Sequence, residues 1–379
     1  MPSNYGGLTK NMAHTNDMVL EAMRAKLSHQ WQRHRSEPFC VMDLGDVYDE
    51  YQRWCGVLPD CNPDAQVVKL LARLKSGFDC ASQTEMKLVL SQGVPPERIV
   101  FANPCKKISD LEYAHKSGVR KVTFDNEAEL YKIREWLPDA ELVLRCRASD
   151  ASASYRLCDK YGATAALSVK LLQCAKALGL SVIGVSFHIG SNAKDPSAFD
   201  AAIQSCRDVF ETGLDMGHDM HLLDIGGGFS APIFDAMARV IRESIDSRFG
   251  DVPVEVIAEP GRLFVEGSLT VACGIIGRRD ASENTEDEEE ERRHMLYLND
   301  GIWGVFSSNL FEPGPLPKGC FIPPESEEDN HEDYTLWGPT CDSFDCVAKS
   351  VALPESLDIG DWLYFQDMGG LMDFITIER

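Results

Sequence analysis

Residues Leu222–Phe229 read LLDIGGGF, an apolar strand that runs straight into three consecutive glycines. Backbone N–H groups in such a turn can point at a phosphate with no side chain in the way, although a GGG turn by itself is as often only a tight turn. The neighbourhood decides the reading. Between Gly77 and Arg262 one pattern recurs: a short apolar strand ending in small or polar residues, then an amphipathic helical stretch. The predicted strands are Gly77–Ser82, Ile99–Pro104, Lys121–Asn126, Leu142–Arg147, Val182–Ser191, Leu222–Phe229 and Glu255–Arg262. Helical spacing of apolar residues follows in Glu85–Gly93, Glu127–Trp136 and Pro196–Gly213. Strand, helix, strand at these intervals predicts parallel βα units, and a closed (β/α)₈ barrel needs one strand more than the seven found. At the C-terminal end of a late barrel strand, where such folds keep phosphate sites, the glycine turn reads as a phosphate cradle.

Outward from this α/β core, Phe39–Leu44 reads as a strand, while Ser268–Ile276, Met295–Leu298 and Asp361–Phe365 are strand-like pieces of a β-rich second domain. The expected division is a barrel over residues 40–265 and a β domain from 1–39 with 266–379. Asp280–Glu291 (DASENTEDEEEE) is almost purely acidic and reads as a solvated loop. The net charge of −23 in 379 residues argues against docking on nucleic acid. No run of about 18 apolar residues indicates a membrane span, and the first residues lack the order of a signal peptide, so a cytosolic protein is expected. The 13 cysteines fall without CxxC or Cys/His spacing and read as reduced thiols, with no metal site.

Five polar residues lie at the ends of predicted parallel strands and so converge on one rim: Asp79 in GFDCAS, Arg145 in VLRCR, His188 in FHIGS, and Glu259 with Arg262 in AEPGR. A carboxylate there can pair with a protonated ring nitrogen, a guanidinium can hold phosphate, and an imidazole can lie on a flat ring. Each alone has an ordinary structural alternative, an ion pair or a packed histidine. WGPTCDSFD (Trp337–Asp345) sets Cys341 beside Asp342 in a Gly-Pro-bounded loop.

The string FDCAS, ANPCK, FDNEAEL, GVSFHIGS, LLDIGGGF, AEPGR, NDG and WGPTCD, over about Phe39 to Gly369, resembles the eukaryotic ornithine decarboxylases within the pyridoxal-phosphate group-IV decarboxylases. The resemblance implies an alanine-racemase-like (β/α)₈ barrel plus a C-terminal β-sheet domain, pyridoxal 5'-phosphate as cofactor, a small diamino acid as substrate and a homodimer. It implies that Gly226, Gly227, Gly228, Ser191 and Arg262 hold the phosphate, that Glu259 pairs with the pyridine nitrogen and that His188 lies on the ring. Asp79 and Arg145 would belong to the surrounding polar network. Cys341 and Asp342 would reach into the partner subunit's site, the thiol as proton donor and the carboxylate on the distal ammonium of the substrate.

Three stretches depart from that pattern. Gly56–Ala72 reads GVLPDCNPDAQVVKLLA; Asp60 stands before Cys61–Asn62 where the family carries the lysine that bonds the cofactor, and the strand leading to it is missing. Lys69 matches the family's next helix. Phe311–Glu312 replaces a tyrosine–aspartate pair, leaving Glu312 as the substrate-binding acid, and Gly370–Leu371 replaces an alanine–tyrosine in a β domain that is cut short. A gap that takes strand and lysine together reads as damage, as from a mis-joined reading frame. The resemblance therefore implies an ornithine decarboxylase, making putrescine for polyamine synthesis, that is impaired in this chain. The alternative is a non-catalytic, antizyme-inhibitor-like relative; Ser117–Leu137, read as helical, lies where the family docks antizyme.

Overall fold

Strands Ile99–Phe101 and Leu222–Asp224 are buried at every residue, the pattern of parallel strands covered on both faces. The computed structural model describes residues 12–33, 37–55, 65–148, 157–280, 294–310, 314–321 and 330–371. It divides the chain into two units, Leu44–Val265 and a second formed by Met1–Asp43 with Glu266–Arg379.

In the second unit, β1 (Phe39–Met42) pairs antiparallel with the start of β9 (Leu269–Arg279). In the first unit seven parallel strands follow in chain order: β2 (Phe78–Cys80), β3 (Ile99–Phe101), β4 (Lys121–Phe124), β5 (Glu141–Arg145), β6 (Ser181–Ser186), β7 (Leu222–Asp224) and β8 (Glu255–Ile257). Helices follow the strands and cap as their sequences suggest. Ser82 accepts from Glu85 N at the start of Gln83–Ser91, Asn126 accepts from Glu129 N at Glu127–Trp136, and Thr164 accepts from Leu167 N at Ala165–Ala177. Among the described residues β2 and β8 are the two ends of the sheet and no eighth strand joins them, which leaves the seven-stranded half-barrel that the sequence pattern predicts.

The predicted strands overran their C-terminal ends. The ladder continues past β6, β7 and β8 as single bonds, with Phe187 N donating to Asp224 O at 3.1 Å, Ile225 N to Ile257 O at 2.9 Å and Glu259 N to Gly226 O at 2.8 Å. The small and polar rim residues are therefore fixed by hydrogen bonds without being regular strand. Arg262, expected at a strand end, lies in the short helix Gly261–Val265. Ser117–Leu137 is likewise not one helix. It holds the end of Ile108–Ser117, strand β4 and helix Glu127–Trp136, because the apolar run Val122–Phe124 is buried in the sheet.

The second unit's sheet has the order β11 (Gly319–Phe321), β14 (Trp362–Phe365), β9, β10 (His294–Leu298), β12 (His331–Trp337), β13 (Cys346–Pro354), with β1 also on β9. The first seven residues of β9 do not alternate between core and solvent: Leu269 through Ile275 are all buried. Leu269, Val271, Cys273 and Ile275 belong to one cluster, and Ala272 to another that holds Met23 and Leu27 of the helix Met12–Arg33. The sheet is covered on both sides. Asp60, Cys61, Glu312 and the acidic stretch 281–291 lie outside the described residues.

Candidate functional site

The C-terminal edge of the parallel sheet gathers Asp79 from β2, Arg145 from the end of β5, His188 two residues past β6, the turn Gly226–Gly228 past β7 and Glu259 past β8. The aromatic side chains below fix this edge. Trp54, fully buried on the helix Leu44–Cys55, meets Phe229 at 4.7 Å between ring centroids, Phe234 at 5.4 Å and Phe264 at 5.6 Å. Phe229 follows the glycine turn directly and Phe264 shares the short helix of Arg262, so one indole supports both phosphate-binding candidates.

The three glycines are required by close packing. Gly226 has φ +58° and Gly228 φ +109°, and a Cβ on Gly226 would lie 1.9 Å from Phe187 O. A Cβ on Gly227 would lie 2.6 Å from His188 Nε2, which places the imidazole directly on the turn. Gly228 lies against Gly190, just before Ser191, with the added Cβ 2.5 Å from Gly190 O. The Gly226 N–H donates to Asp224 Oδ1 at 2.9 Å. Among the described residues no acceptor takes the N–H of Gly227 or Gly228.

Electrostatics sort the titratable groups. Burial, with the Arg145 guanidinium nearby, lowers the His188 pKa to about 3, so the ring is neutral at physiological pH. Its Nδ1 accepts from Gly190 N at 3.0 Å, which leaves the proton on Nε2. Burial raises Asp79 well above the carboxylate range, helped by Glu259 and Glu85. Burial raises Glu259 too, with Asp224 adding to it, and takes Asp224 to about 6. Arg145 lowers all three, so one guanidinium offsets three carboxyls in a low-dielectric place. Asp224 was not among the residues singled out in the sequence. The signal was there, an acid closing an apolar strand one residue before the glycines' turn begins at Ile225.

This arrangement fits pyridoxal phosphate. Two adjacent glycine N–H groups suit a phosphate oxygen, a carboxyl at the strand ends suits a hydrogen bond with a pyridine nitrogen, and a neutral flat imidazole suits the ring face. Lys69 is exposed on the helix Ala65–Arg73. In the other unit Cys341 and Asp342 are exposed. Their loop is held by buried Asp345, whose Oδ1 accepts from Ile302 N at 2.8 Å and whose Oδ2 accepts from Thr340 N at 3.0 Å and Thr340 Oγ1 at 2.6 Å.

Comparison with known proteins gives the same picture. Residues 57–266 match the pyridoxal binding domain of the pyridoxal-dependent decarboxylases. The chain is 66% identical over 368 residues to the decarboxylase flvG of Aspergillus flavus, covering 94% of this chain and 86% of that protein. It is 40% identical to the ornithine decarboxylase of Neurospora crassa, covering 96% and 83%. That alignment runs over 402 positions against the 379 residues here, so the relative carries stretches this chain lacks. Antizyme inhibitor 2 of Xenopus laevis is 41% identical, covering 95% and 82%. The crystal structure of the Paramecium bursaria Chlorella virus arginine decarboxylase bound to agmatine superposes with a TM-score of 0.84 at 34% identity, over 93% of this chain and 94% of that one. On the family match, the identities and the shared fold together, the chain belongs to the pyridoxal-phosphate-dependent ornithine/arginine/lysine decarboxylase family.

Proposed function

We propose that the chain is an ornithine decarboxylase-like enzyme of reduced activity that acts on a small diamino acid, L-ornithine first, to give putrescine. The observation that carries this reading is the gathering of the neutral His188 ring, the Gly226–Gly228 turn and Glu259 on one edge of the parallel sheet. When bound, pyridoxal phosphate supplies an electron sink for the bond to the departing carboxylate. The protein's share is placement and protons. Gly227 and Gly228 N–H, Ser191 and Arg262 hold the phosphate; Glu259 keeps the ring nitrogen protonated; His188 covers one face; Asp79 and Arg145 set the local field. In a cytoplasmic homodimer, Cys341 Sγ holds the proton delivered to the substrate α-carbon, while Asp342, with Glu312, binds the distal ammonium. The sequence between Gly56 and Asp64 has no lysine, and loss of an on-site amine for proton transfer alone slows such chemistry by about 10²–10⁴-fold.

The test is CO₂ release from carboxyl-labelled ornithine, lysine and arginine by the full chain saturated with pyridoxal phosphate. Slow release, fastest from ornithine and abolished by Glu259→Gln, is expected. No release from any of the three removes the decarboxylase reading. The missing lysine, together with the similarity to an antizyme inhibitor, then favours a second reading, a regulatory protein that binds antizyme. Stoichiometric binding to purified antizyme, weakened by charge reversal of the exposed Arg120 in the stretch Ser117–Leu137, is what that reading predicts.

A further inference from the structure

The Arg145 guanidinium lowers the proton affinity of Asp79, Asp224 and Glu259 and bears on the His188 ring as well. An arginine at a strand end has several rotatable bonds, so its charge falls in one place only where something holds the guanidinium. A neighbouring ring does so. Arg145 Cζ lies 5.3 Å from the centroid of the Tyr161 ring, inside the reach of about 6 Å over which a guanidinium is attracted to an aromatic face. Arg145 and Tyr161 are both partly buried, whereas the other cation over this ring, Lys160 with Nζ at 4.9 Å, is exposed, so water weakens its pull.

The backbone beside Tyr161 is tied to the residue that the ring supports. Ala163 N donates to Arg145 O at 2.8 Å and Arg147 N donates to Ala163 O at 2.9 Å, a parallel bridge between Cys146 and Ala163 that lies outside the named strands. Gly162 makes this approach possible. Its φ is +103°, an added Cβ would lie 2.7 Å from Arg147 Cα, and its N–H donates to Asp125 Oδ2 at 2.9 Å. Tyr161 thus stands directly before a pinned glycine, next to the end of β5. We propose that Tyr161 is a positioning residue for Arg145, its ring holding the guanidinium beside Asp79, Asp224 and Glu259 at the C-terminal edge of the parallel sheet. The inference rests on the reading of that edge as the site in which Arg145 sets the field, and it needs no turnover.

The experiment compares the full chain with Tyr161→Leu, which removes the aromatic face, and Tyr161→Phe, which keeps it without the hydroxyl. The thermal midpoint without cofactor is read at pH 5.5 and pH 8. The groups set around Arg145 are the Asp79, Asp224 and Glu259 carboxyls and the His188 ring, with Glu85 acting on Asp79. His188 stays neutral over this range, while Asp224 loses its proton near pH 6 and then needs the guanidinium more. Tyr161→Leu should therefore lower the midpoint further at pH 8 than at pH 5.5, Tyr161→Phe should restore it, and the difference between the two pH values should vanish on an Arg145→Met background. At pH 8 Tyr161→Leu should also raise the dissociation constant of pyridoxal phosphate about threefold, the scale of one cation–π contact, with Tyr161→Phe again at the parent value. The midpoint needs no cofactor, so failure of the parent to bind pyridoxal phosphate strikes the proposed function and leaves the midpoints to decide Tyr161. No loss in Tyr161→Leu, a loss equal at both pH values, a loss as large in Tyr161→Phe, or an undiminished pH difference with Arg145→Met overturns the proposal.

Discussion

Asp224 and His188 make opposite demands on pH. Burial raises Asp224 from 3.8 to about 6, so the folded state binds this proton more tightly than the unfolded chain does, and stability falls as pH rises through that window. Above it the penalty is roughly 3 kcal/mol. Asp224→Asn should therefore be more stable than the parent at pH 8 and lose that advantage towards pH 4, as measured by urea unfolding at both ends; a gap independent of pH contradicts the assignment. His188 moves the other way. Its folded pKa of about 3 lies below the ordinary 6.5, so the unfolded ring takes up a proton that the folded one refuses, and stability is lost as pH falls below 6.5. His188→Phe should flatten the acid limb of the thermal midpoint between pH 6.5 and 4. Asp224 stayed unnoticed in the sequence because an acid inside LLD resembles any strand-ending polar residue; its neighbours become visible only when the sheet brings Glu259 beside it.

The glycine turn is an element whose substitution separates packing from binding. Gly226→Ala meets a carbonyl at 1.9 Å with φ +58°, and a strained backbone with a buried clash costs about 1–3 kcal/mol or more. Gly227→Ala instead meets His188 Nε2 at 2.6 Å and Glu259 O at 2.8 Å. It should lower pyridoxal phosphate affinity more than stability, which equilibrium dialysis and thermal melts on one preparation would show. Trp54→Ala removes the support of both Phe229 and Phe264 and should cost about 3–5 kcal/mol with loss of cofactor retention. The order of the parallel strands was legible because apolar runs alternate with helical spacing. Their ends were not, because single ladder bonds past Asp224 and Ile257 extend the rim without regular strand. The pairing of Phe39–Met42 with Leu269–Ala272 also escaped the sequence, since register between segments so far apart leaves no local trace.

At the scale of the molecule, the parallel sheet ends in β2 and β8, each with one strand partner among the described residues, where a closed barrel has no edges. A chain in which Asp60→Lys is the only change should gain little turnover, because an amine without a strand to aim it is misplaced, and about 1 Å of displacement already costs 10²-fold. Inserting a family-like strand that ends in lysine before Cys61 should restore cofactor absorbance and CO₂ release together; equal activity from Asp60→Lys alone contradicts this. The central claim is that a pyridoxal phosphate site stands on the C-terminal edge of the seven-stranded sheet without a covalent lysine. Its most direct test is an absorbance titration of the full chain with pyridoxal phosphate, followed by borohydride reduction and peptide mass spectrometry. The account predicts saturable, dialysable binding that is weakened in Gly227→Ala and Glu259→Gln, with no phosphopyridoxyl group at a single lysine. Stoichiometric labelling of Lys69, or binding that ignores both substitutions, would contradict it.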